Sequence, residues 1–381
     1  MNGFSVTRVL AVLSKEFTQL TRDRLTYAMI LGIPVMQLLL FGYAINSDPH
    51  HLPTAVFVQD QGGFARATLA ALNNTSYFDI TRVAHSPAEV DRLVSRGDVQ
   101  FAVTIPADFT ERVVRHDNPQ ILVEADASDP ASTGGALGAL AGLPAAALSH
   151  DLLGAAAPLP GAGQDPFQVV IHRRFNPENI TAYNIVPGLL GIVLSLTLVM
   201  MTALGVTRER ERGTMESLLA TPVRPIEVMI GKLAPYVLVG LIQTAVILAL
   251  SRGLFDVPMA ESLAGWGALG VGVLLFIVGS LALGFFISTL ARNQLQAMQM
   301  SFFYMLPSIL LSGFAFPFRG MPGWAQAIGS LMPVTYFLRI VRGALLKDQG
   351  FADMGGNLIA LVVFMAAVTA LAMARYRTTL D

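Results

Sequence analysis

The stretch that decides the fold is AYNIVPGLLGIVLSLTLVMMTALGV (182–206), which runs directly into TRERER (207–212). A helix needs about 20 mainly apolar residues to cross the hydrocarbon core of a bilayer. The first of these runs has no charged residue and is long enough to cross, so it predicts a transmembrane helix with a charged end. Further apolar stretches of similar length occur at 27–45, 227–250, 264–290, 297–316 and 357–374. The sequence therefore predicts a polytopic α-helical membrane protein with six transmembrane helices.

The composition supports a membrane protein. Of the 381 residues, 53% are hydrophobic and 13% are charged, and the mean hydropathy is +0.57, whereas soluble domains carry about 25% charged residues. The net charge of -1 gives no basic surface for nucleic acid, so we expect the lipid bilayer and not nucleic acid as a partner. The chain has no cysteine, which excludes disulfides, thiolate nucleophiles and cysteine-ligated metals.

Segment 46–180 differs from the rest of the chain. It holds 8 basic and 15 acidic residues and all six histidines. Extended apolar runs alternate in it with helical patterns, which predicts an inserted α/β domain with a small sheet and crossover helices. The predicted strands are 54–58, 78–83, 101–105 and 121–124, with a further strand beginning in 167–177, and the predicted helices are 64–72, 87–95 and 107–115. Segment 131–164 is rich in alanine and glycine, so we expect part of it to be helix and its end a flexible linker.

The charges outside that segment predict the orientation. Short segments on one side of the six spans hold eleven lysines and arginines, and those on the other side hold five. The positive-inside rule then places both termini in the cytoplasm and 46–180 outside it. The cytosolic segment 1–26 has apolar residues at helical spacing over 6–20, which predicts an amphipathic helix in the membrane interface. A plain cytosolic helix packed on a partner is the alternative.

No nucleotide-binding loop is present in the sequence. A P-loop requires a Gly-x-x-x-x-Gly-Lys-Ser/Thr pattern, whose backbone N–H groups and lysine hold the phosphates. The only lysines are Lys15, Lys232 and Lys347, and none of them stands in that pattern. The sequence also lacks the Gly-x-Ser-x-Gly and His-Glu-x-x-His motifs of hydrolases. We therefore expect a chain that is not an enzyme and that binds no cofactor of its own, with no metal site.

The segment 207–222 follows the second predicted span and contains five alternating charges at 208–212. A short apolar face follows, and Pro222 ends the segment. A charged loop that only satisfies the positive-inside rule and a short helix that docks a cytosolic partner both fit this pattern. The glutamates favour docking, because orientation depends on lysine and arginine alone. The apolar face is Met215, Leu218 and Leu219, and the glutamates are Glu209, Glu211 and Glu216.

With these motifs, the chain resembles ABC-2-type transport permeases, the membrane subunits of ATP-binding-cassette (type V) exporters. The resemblance rests first on TRERERGTMESLLATPVRPIEVMIGK (207–232). It extends to RRFNPENI (173–180), to FPFRGMPGWAQAIGSLMPVTYFLRIVRGAL (316–345) and to ARYRTTL (374–380), in the family's order. One subgroup of the family carries an extracytoplasmic domain between its first two spans, as predicted here.

The resemblance implies a function and partners. It implies a bacterial inner-membrane exporter subunit that works as a homodimer or as a heterodimer with a similar permease, with a periplasmic adaptor as a further partner. A separate ABC ATPase would bind ATP and Mg and would contact a coupling helix in 207–222, while 317–346 would form short helices on the outer face. The residues that match the coupling region are Arg208, Glu209, Arg210, Glu211, Arg212, Gly213, Thr214, Glu216, Leu218 and Leu219.

A few polar residues interrupt the predicted spans. They are Gln243 and Thr244 in the third span and Gln299, Tyr304, Ser308 and Ser312 in the fifth. Such groups either pair between helices or line a path for substrate. No ionisable residue lies centrally in a span, which argues against a proton-coupled carrier. The substrate stays open among drugs, lipids, glycans and ions, and two further classes of protein stay as alternatives: an ATPase-independent carrier, and a membrane receptor or scaffold.

Overall fold

The computed structural model describes residues 49–148, 165–212 and 225–375, with the backbone alone for 225–234. The predicted interfacial helix 6–20, the first predicted span 27–45 and residues 213–222 of the predicted coupling segment lie outside these ranges. So does 149–164, the last part of segment 131–164, whose end is predicted to be a linker.

Residues 49–148 and 165–180 form what we call the α/β region. Its five strands form one mixed sheet in the order β2-β1-β3-β4-β5, in which β3 and β4 are antiparallel and every other neighbouring pair is parallel. All five predicted strands are confirmed. They are β1 (Leu52–Val58), β2 (Phe78–Val83), β3 (Phe101–Ile105), β4 (Gln120–Asp126) and β5 (Gln168–Arg174).

The predicted helices of the α/β region are also present. Helix α2 begins where Ser86 accepts a hydrogen bond from the backbone N–H of Glu89, and it ends at Gly97, whose φ of 73° suits glycine. The alanine- and glycine-rich segment forms two short helices in its described part. The helices are α1 (Gly63–Asn74), α2 (Pro87–Arg96), α3 (Phe109–Val114), α4 (Pro130–Leu140) and α5 (Leu143–Ala147).

The rest of the described chain is helical. Its helices are α6 (Thr181–Glu211), α7 (Pro225–Phe255), α8 (Leu263–Leu290), α9 (Gln294–Leu311), α10 (Gly323–Gly329), α11 (Pro333–Lys347) and α12 (Phe351–Arg375). Four are long and apolar enough to cross a membrane, namely α6, α7 over Pro235–Phe255, α8 and α12. These correspond to four of the six predicted spans, so the total of six stays a prediction.

Residues 297–311 of the stretch 297–316 lie in helix α9, which is not among those four. Helix α9 has 18 residues and ends at Leu311, earlier than the apolar pattern predicted. Gly313 follows with a φ of 85°, a left-handed conformation that stops a helix. The predicted short helices of 317–346 are present as a 3-10 turn (Phe318–Gly320), α10 and α11.

Helix α8 lies at the centre of the helical bundle and packs against α6, α12 and α11. The Phe276 ring of α8 stacks on the Phe337 ring of α11, with centroids 4.1 Å apart and planes 5° apart. Gly284 lets α6 approach closely, since a Cβ at that position would lie 2.5 Å from the backbone oxygen of Val199. Small residues at crossings of this kind are typical of helix packing in membranes.

The α/β region contacts the end of the bundle where α11 ends and α12 begins. Arg96 at the end of α2 pairs with Asp353 at 3.0 Å, and Lys347 pairs with Asp126. The Arg319 guanidinium donates to the backbone oxygen of Gly97 at 2.6 Å. The charged end of α6 lies at the opposite end of the bundle, so the two ends present different surfaces to their surroundings.

Candidate functional site

The charged end of α6 meets the connection between α8 and α9. Arg208 to Glu211 form the last turn of α6, and Arg212 is its C-cap. Positive charge at a helix C-terminus interacts favourably with the partial negative charge of the last carbonyl groups. The alternating charges of the sequence therefore end up as a cationic helix end with glutamates between the arginines.

Arg210 attaches this helix end to α8. Its Nη1 donates to the backbone oxygens of Ser288 at 3.2 Å and of Ala291 at 3.1 Å. These oxygens belong to the final turn of α8 and to its C-cap, where carbonyl groups have no partner within the helix. Arg210 thus supplies the hydrogen bonds that α8 lacks at its own end.

Glu211 attaches the same helix end to α9. Its Oε1 accepts a hydrogen bond from the backbone N–H of Gln294 at 2.8 Å, and its Oε2 accepts one from the Gln294 side chain. Gln294 is the first residue of α9, so the carboxylate lies at the positive end of that helix. Arg208 donates to the same glutamine side chain at 3.4 Å.

Through these contacts the charged end of α6 forms a junction of three helices. A displacement of residues 208–212 acts directly on the end of α8 and on the start of α9. The remaining predicted coupling residues, Gly213, Thr214, Glu216, Leu218 and Leu219, lie outside the described residues, so their role stays a prediction. The sequence did not point to Gln294, although the polar run RNQLQ (292–296) after an apolar stretch was a usable signal.

The polar residues predicted to line a substrate path lie on two helices that both pack against α6. On α7, the Thr244 hydroxyl donates to the backbone oxygen of Gly240 at 2.8 Å, which satisfies it within its own helix. The buried Oε1 of Gln243 has no hydrogen-bond partner in the described ranges. Of Gln243 and Thr244, only Gln243 therefore has a buried polar atom, Oε1, that could accept a hydrogen bond from another group.

On α9, Ser308 donates to the backbone oxygen of Tyr304 at 2.9 Å, and Gln299 is partly buried. The Tyr304 hydroxyl is buried near the hydroxyls of Ser195 and Ser308 without the geometry of a hydrogen bond. The Ser312 hydroxyl is buried and has no partner in the described chain. A substrate path along these residues stays a prediction.

The sequence pointed to none of three further buried hydroxyls. Ser195 and Thr202 on α6 and Ser280 on α8 carry buried hydroxyl groups without a partner among the described residues. Each lies in an apolar stretch, where a single small polar residue is a weak signal. Together with Tyr304 they add polar atoms between α6, α8 and α9.

Asp60, interpreted from the sequence as a turn residue, caps a turn after β1. Its carboxylate accepts from the backbone N–H of Gly62 at 2.6 Å and from that of Thr110 at 2.5 Å. Burial opposes the charge of this carboxylate, but the hydrogen bonds from Thr110 and Gly62 outweigh it and lower the pKa of Asp60. The described ranges contain no group of three or more His, Asp or Glu side chains placed to hold a metal ion.

Comparison with known proteins supports the resemblance found in the sequence. A family model described as "ABC-2 family transporter protein" matches residues 24–374. "Probable multidrug ABC transporter permease YbhS" of Escherichia coli is 29% identical over 377 residues, which cover 98% of each chain. "Probable multidrug ABC transporter permease YbhR" of the same organism is 27% identical over 97% of this chain and 98% of its own.

A third relative carries its location in its name. "Inner membrane transport permease YhhJ" of Escherichia coli is 28% identical over 295 residues, which cover 77% of this chain and 76% of that one. The family model and the first two relatives span almost the whole chain, so they include both the α/β region and the apolar helices.

Proposed function

The chain belongs to the ABC-2 transporter family, and from that premise we propose that it is the permease subunit of an ATP-driven exporter. Membership makes it a membrane permease of an ABC transporter. The direction of transport, the surface that contacts the ATPase and the transport mechanism are proposed here in addition. In this proposal a separate ABC ATPase binds ATP and Mg, and this chain has no nucleotide site of its own.

The observation that carries the proposal is the three-helix junction at Arg208–Arg212. Arg210 holds the end of α8, and Glu211 holds the start of α9 through Gln294. An ATPase that contacts the segment just beyond Arg212 acts at once on α6, α8 and α9. A charged loop that served orientation alone would not require a glutamate bonded to the start of another helix.

The proposed mechanism is alternating access. Two ATPase subunits close on ATP, the coupling segment moves, and the apolar helices change between an inward-open and an outward-open arrangement. Such a change requires the ATPase to bind one arrangement more tightly than the other. The contacts of Arg210 and Glu211 let that difference in binding reach the packing of three helices.

The proposal also includes an orientation, which follows from the charge distribution, and a set of partners. The cationic end of α6 faces the cytoplasm under the positive-inside rule, so the α/β region lies outside it. The subunit pairs with a second copy or with a similar permease, and the α/β region is available to a periplasmic adaptor. Two relatives are named as multidrug permeases, so lipophilic drugs are the first substrates to test.

The test starts from this chain purified in mild detergent with the ATPase that copurifies from its own host. Glu211→Lys and Gly213→Leu are expected to abolish substrate transport and substrate-stimulated, vanadate-sensitive ATP hydrolysis, while membrane insertion stays intact. Glu178→Lys makes the same charge change at an exposed position of the α/β region and is expected to transport normally.

Two results would contradict the proposal. Normal transport by both Glu211→Lys and Gly213→Leu would remove the coupling role of this segment. If crosslinking captures no ATPase and transport proceeds without ATP, an ATPase-independent carrier is the better interpretation. Loss of transport by Glu178→Lys as well would point to a general effect of charge reversal on the protein.

A further inference from the structure

A polar cavity of about 420 Å³ lies between the α/β region and the helical bundle. The loop after α2, the turn around Phe318, helix α11 and the first turns of α12 form its walls. Its lining includes Gly356 and Asn357, within two turns of the start of the candidate span α12. With α12 as a transmembrane span, the cavity would lie near the depth where headgroups meet the hydrocarbon in a bilayer.

Arg342 is a partly buried cation of this cavity. Its Nη1 donates to the backbone oxygen of Gly313 at 3.1 Å. Its Nε and Nη2 are inaccessible to solvent and have no hydrogen-bond partner in the described part of the chain. Buried N–H groups are almost always paired in folded proteins, so unpaired ones call for a missing acceptor.

Arg319 and Arg339 line the same cavity. The Arg339 guanidinium lies 4.9 Å from the centroid of the Phe318 ring and 5.8 Å from that of Tyr336, which fixes its position. Arg319 is held by its bond to Gly97; Asp126 and Asp98 attract its charge, and Arg339 repels it. Neither forms an ion pair with a carboxylate within the ranges that the structure describes.

Two acidic side chains of the lining are paired with other cations of the lining. Asp126 pairs with Lys347, and Asp353 pairs with Arg96. Asp129 accepts from Asn184 at 3.1 Å, and burial raises its pKa although the charge of Arg342 opposes the rise. The exposed Asp98 is the one further carboxylate of the lining.

We propose that this cavity binds a phosphate group between Arg319, Arg339 and Arg342. Guanidinium groups present several N–H donors in a plane and are the preferred partners of phosphate oxygens. Arg339 and Arg342 are three residues apart on α11 and share one face of it, while Arg319 approaches from the preceding turn. An anion there relieves the repulsion between Arg319 and Arg339 and supplies the acceptor that Arg342 lacks.

Two sources can supply such a group: a phospholipid headgroup, which matches the depth of the cavity, and soluble phosphate. The proposal does not depend on the exporter mechanism, because it concerns binding at the end of the bundle far from the coupling junction. Its failure would therefore leave the proposed function intact.

The experiment uses the full chain, delipidated in a maltoside detergent. One arm titrates phosphatidylglycerol and measures bound lipid by native mass spectrometry, and the other titrates inorganic phosphate by calorimetry. Arg342→Gln is expected to weaken binding about 10- to 100-fold, the usual loss when a hydrogen bond to a charged group is removed. Arg339→Gln changes an exposed side chain, so it tests the site even if Arg342→Gln fails to fold.

Arg82→Gln is the matched control, because Arg82 is exposed on strand β2 and does not line the cavity. Lipid binding that is weakened by Arg339→Gln but not by Arg82→Gln supports the proposal with a lipid as the source. The same pattern with inorganic phosphate supports it with a soluble source. Binding of neither probe, or equal binding by the wild type and both cavity variants, overturns it.

Discussion

The ion pair between Lys347 and Asp126 is expected to hold the α/β region onto the helical bundle. The two side chains are only 9% and 11% exposed. The backbone N–H and the hydroxyl of Ser128 also donate to Asp126, at 3.2 and 2.7 Å. The Lys347 ammonium lies 5.0 Å from the centroid of the Phe175 ring, so both charges have further support within the α/β region.

The size of the effect follows from this burial. Removing one partner of a buried ion pair costs about 3–5 kcal/mol, because the other charge is left without a counter-charge. Asp126 keeps its two bonds from Ser128, so we expect Lys347→Met to cost the lower value, about 3 kcal/mol, or about a hundredfold in the opening equilibrium. The double variant Lys347→Met/Asp126→Asn removes both charges of the pair, so it should cost less than the sum of the two single changes.

The assay is hydrogen exchange of the β3 and β4 amides at increasing urea concentration in mild detergent, which gives the free energy of opening of the α/β region. Arg96→Met is the control, since the Arg96–Asp353 pair is 51% and 31% exposed and such pairs contribute about 0–1 kcal/mol. If Lys347→Met costs no more than Arg96→Met, or if the single effects add fully in the double variant, this reasoning is wrong.

Two further predictions concern packing and capping. Gly284→Ala is expected to lower the free energy of unfolding by about 1–3 kcal/mol in a thermal unfolding experiment, because its Cβ would press on the backbone oxygen of Val199. Gly270→Ala on the same helix is the control, because a Cβ there meets open space. An equal loss of stability in both variants would contradict the close approach of α6 at Gly284. The carboxylate of Asp348 accepts hydrogen bonds from Ser262 and from the backbone N–H of Glu261, which lower its pKa from 3.8. That stabilisation is therefore present above pH 3.8 and is lost as the pH falls through the lowered value. Asp348→Asn should lower the unfolding temperature at pH 7 and much less at pH 3. A difference that is the same at both pH values would show that the charge of Asp348 does not stabilise this connection.

The local elements were readable from the sequence because each carries its own pattern. Strand β3 is a short apolar run between turns, and its residues 101–105 have the predicted bounds. Helix α2 has a serine cap, a following proline and a terminal glycine, and it lies within one residue of the prediction. Helix α9 ended early because one glycine, Gly313, adopts a positive φ inside an otherwise apolar stretch. Hydropathy is averaged over many residues and does not detect a single glycine, so the apolar pattern placed the end of α9 too late.

The contacts that form the three-helix junction and the cavity could not be predicted from local patterns. Glu211 and Gln294 are 83 residues apart in the chain, and Lys347 and Asp126 are 221 apart. Local periodicity carries no information on such pairs. The arginines of the cavity were visible only as scattered charges near the last predicted span, so the sequence predicted the coupling segment but not the cavity at the other end.

Helix α6 connects these two ends. Its 31 residues span about 46 Å at 1.5 Å per residue. Near its start, Asn184 donates to Asp129 beside the cavity, and at its end Glu211 holds the start of α9. If both proposals hold, a movement of the charged end along the axis of α6 would also move Asn184 relative to Asp129, which interacts with Arg342. The occupancy of the cavity and the position of the coupling end would then be linked in both directions.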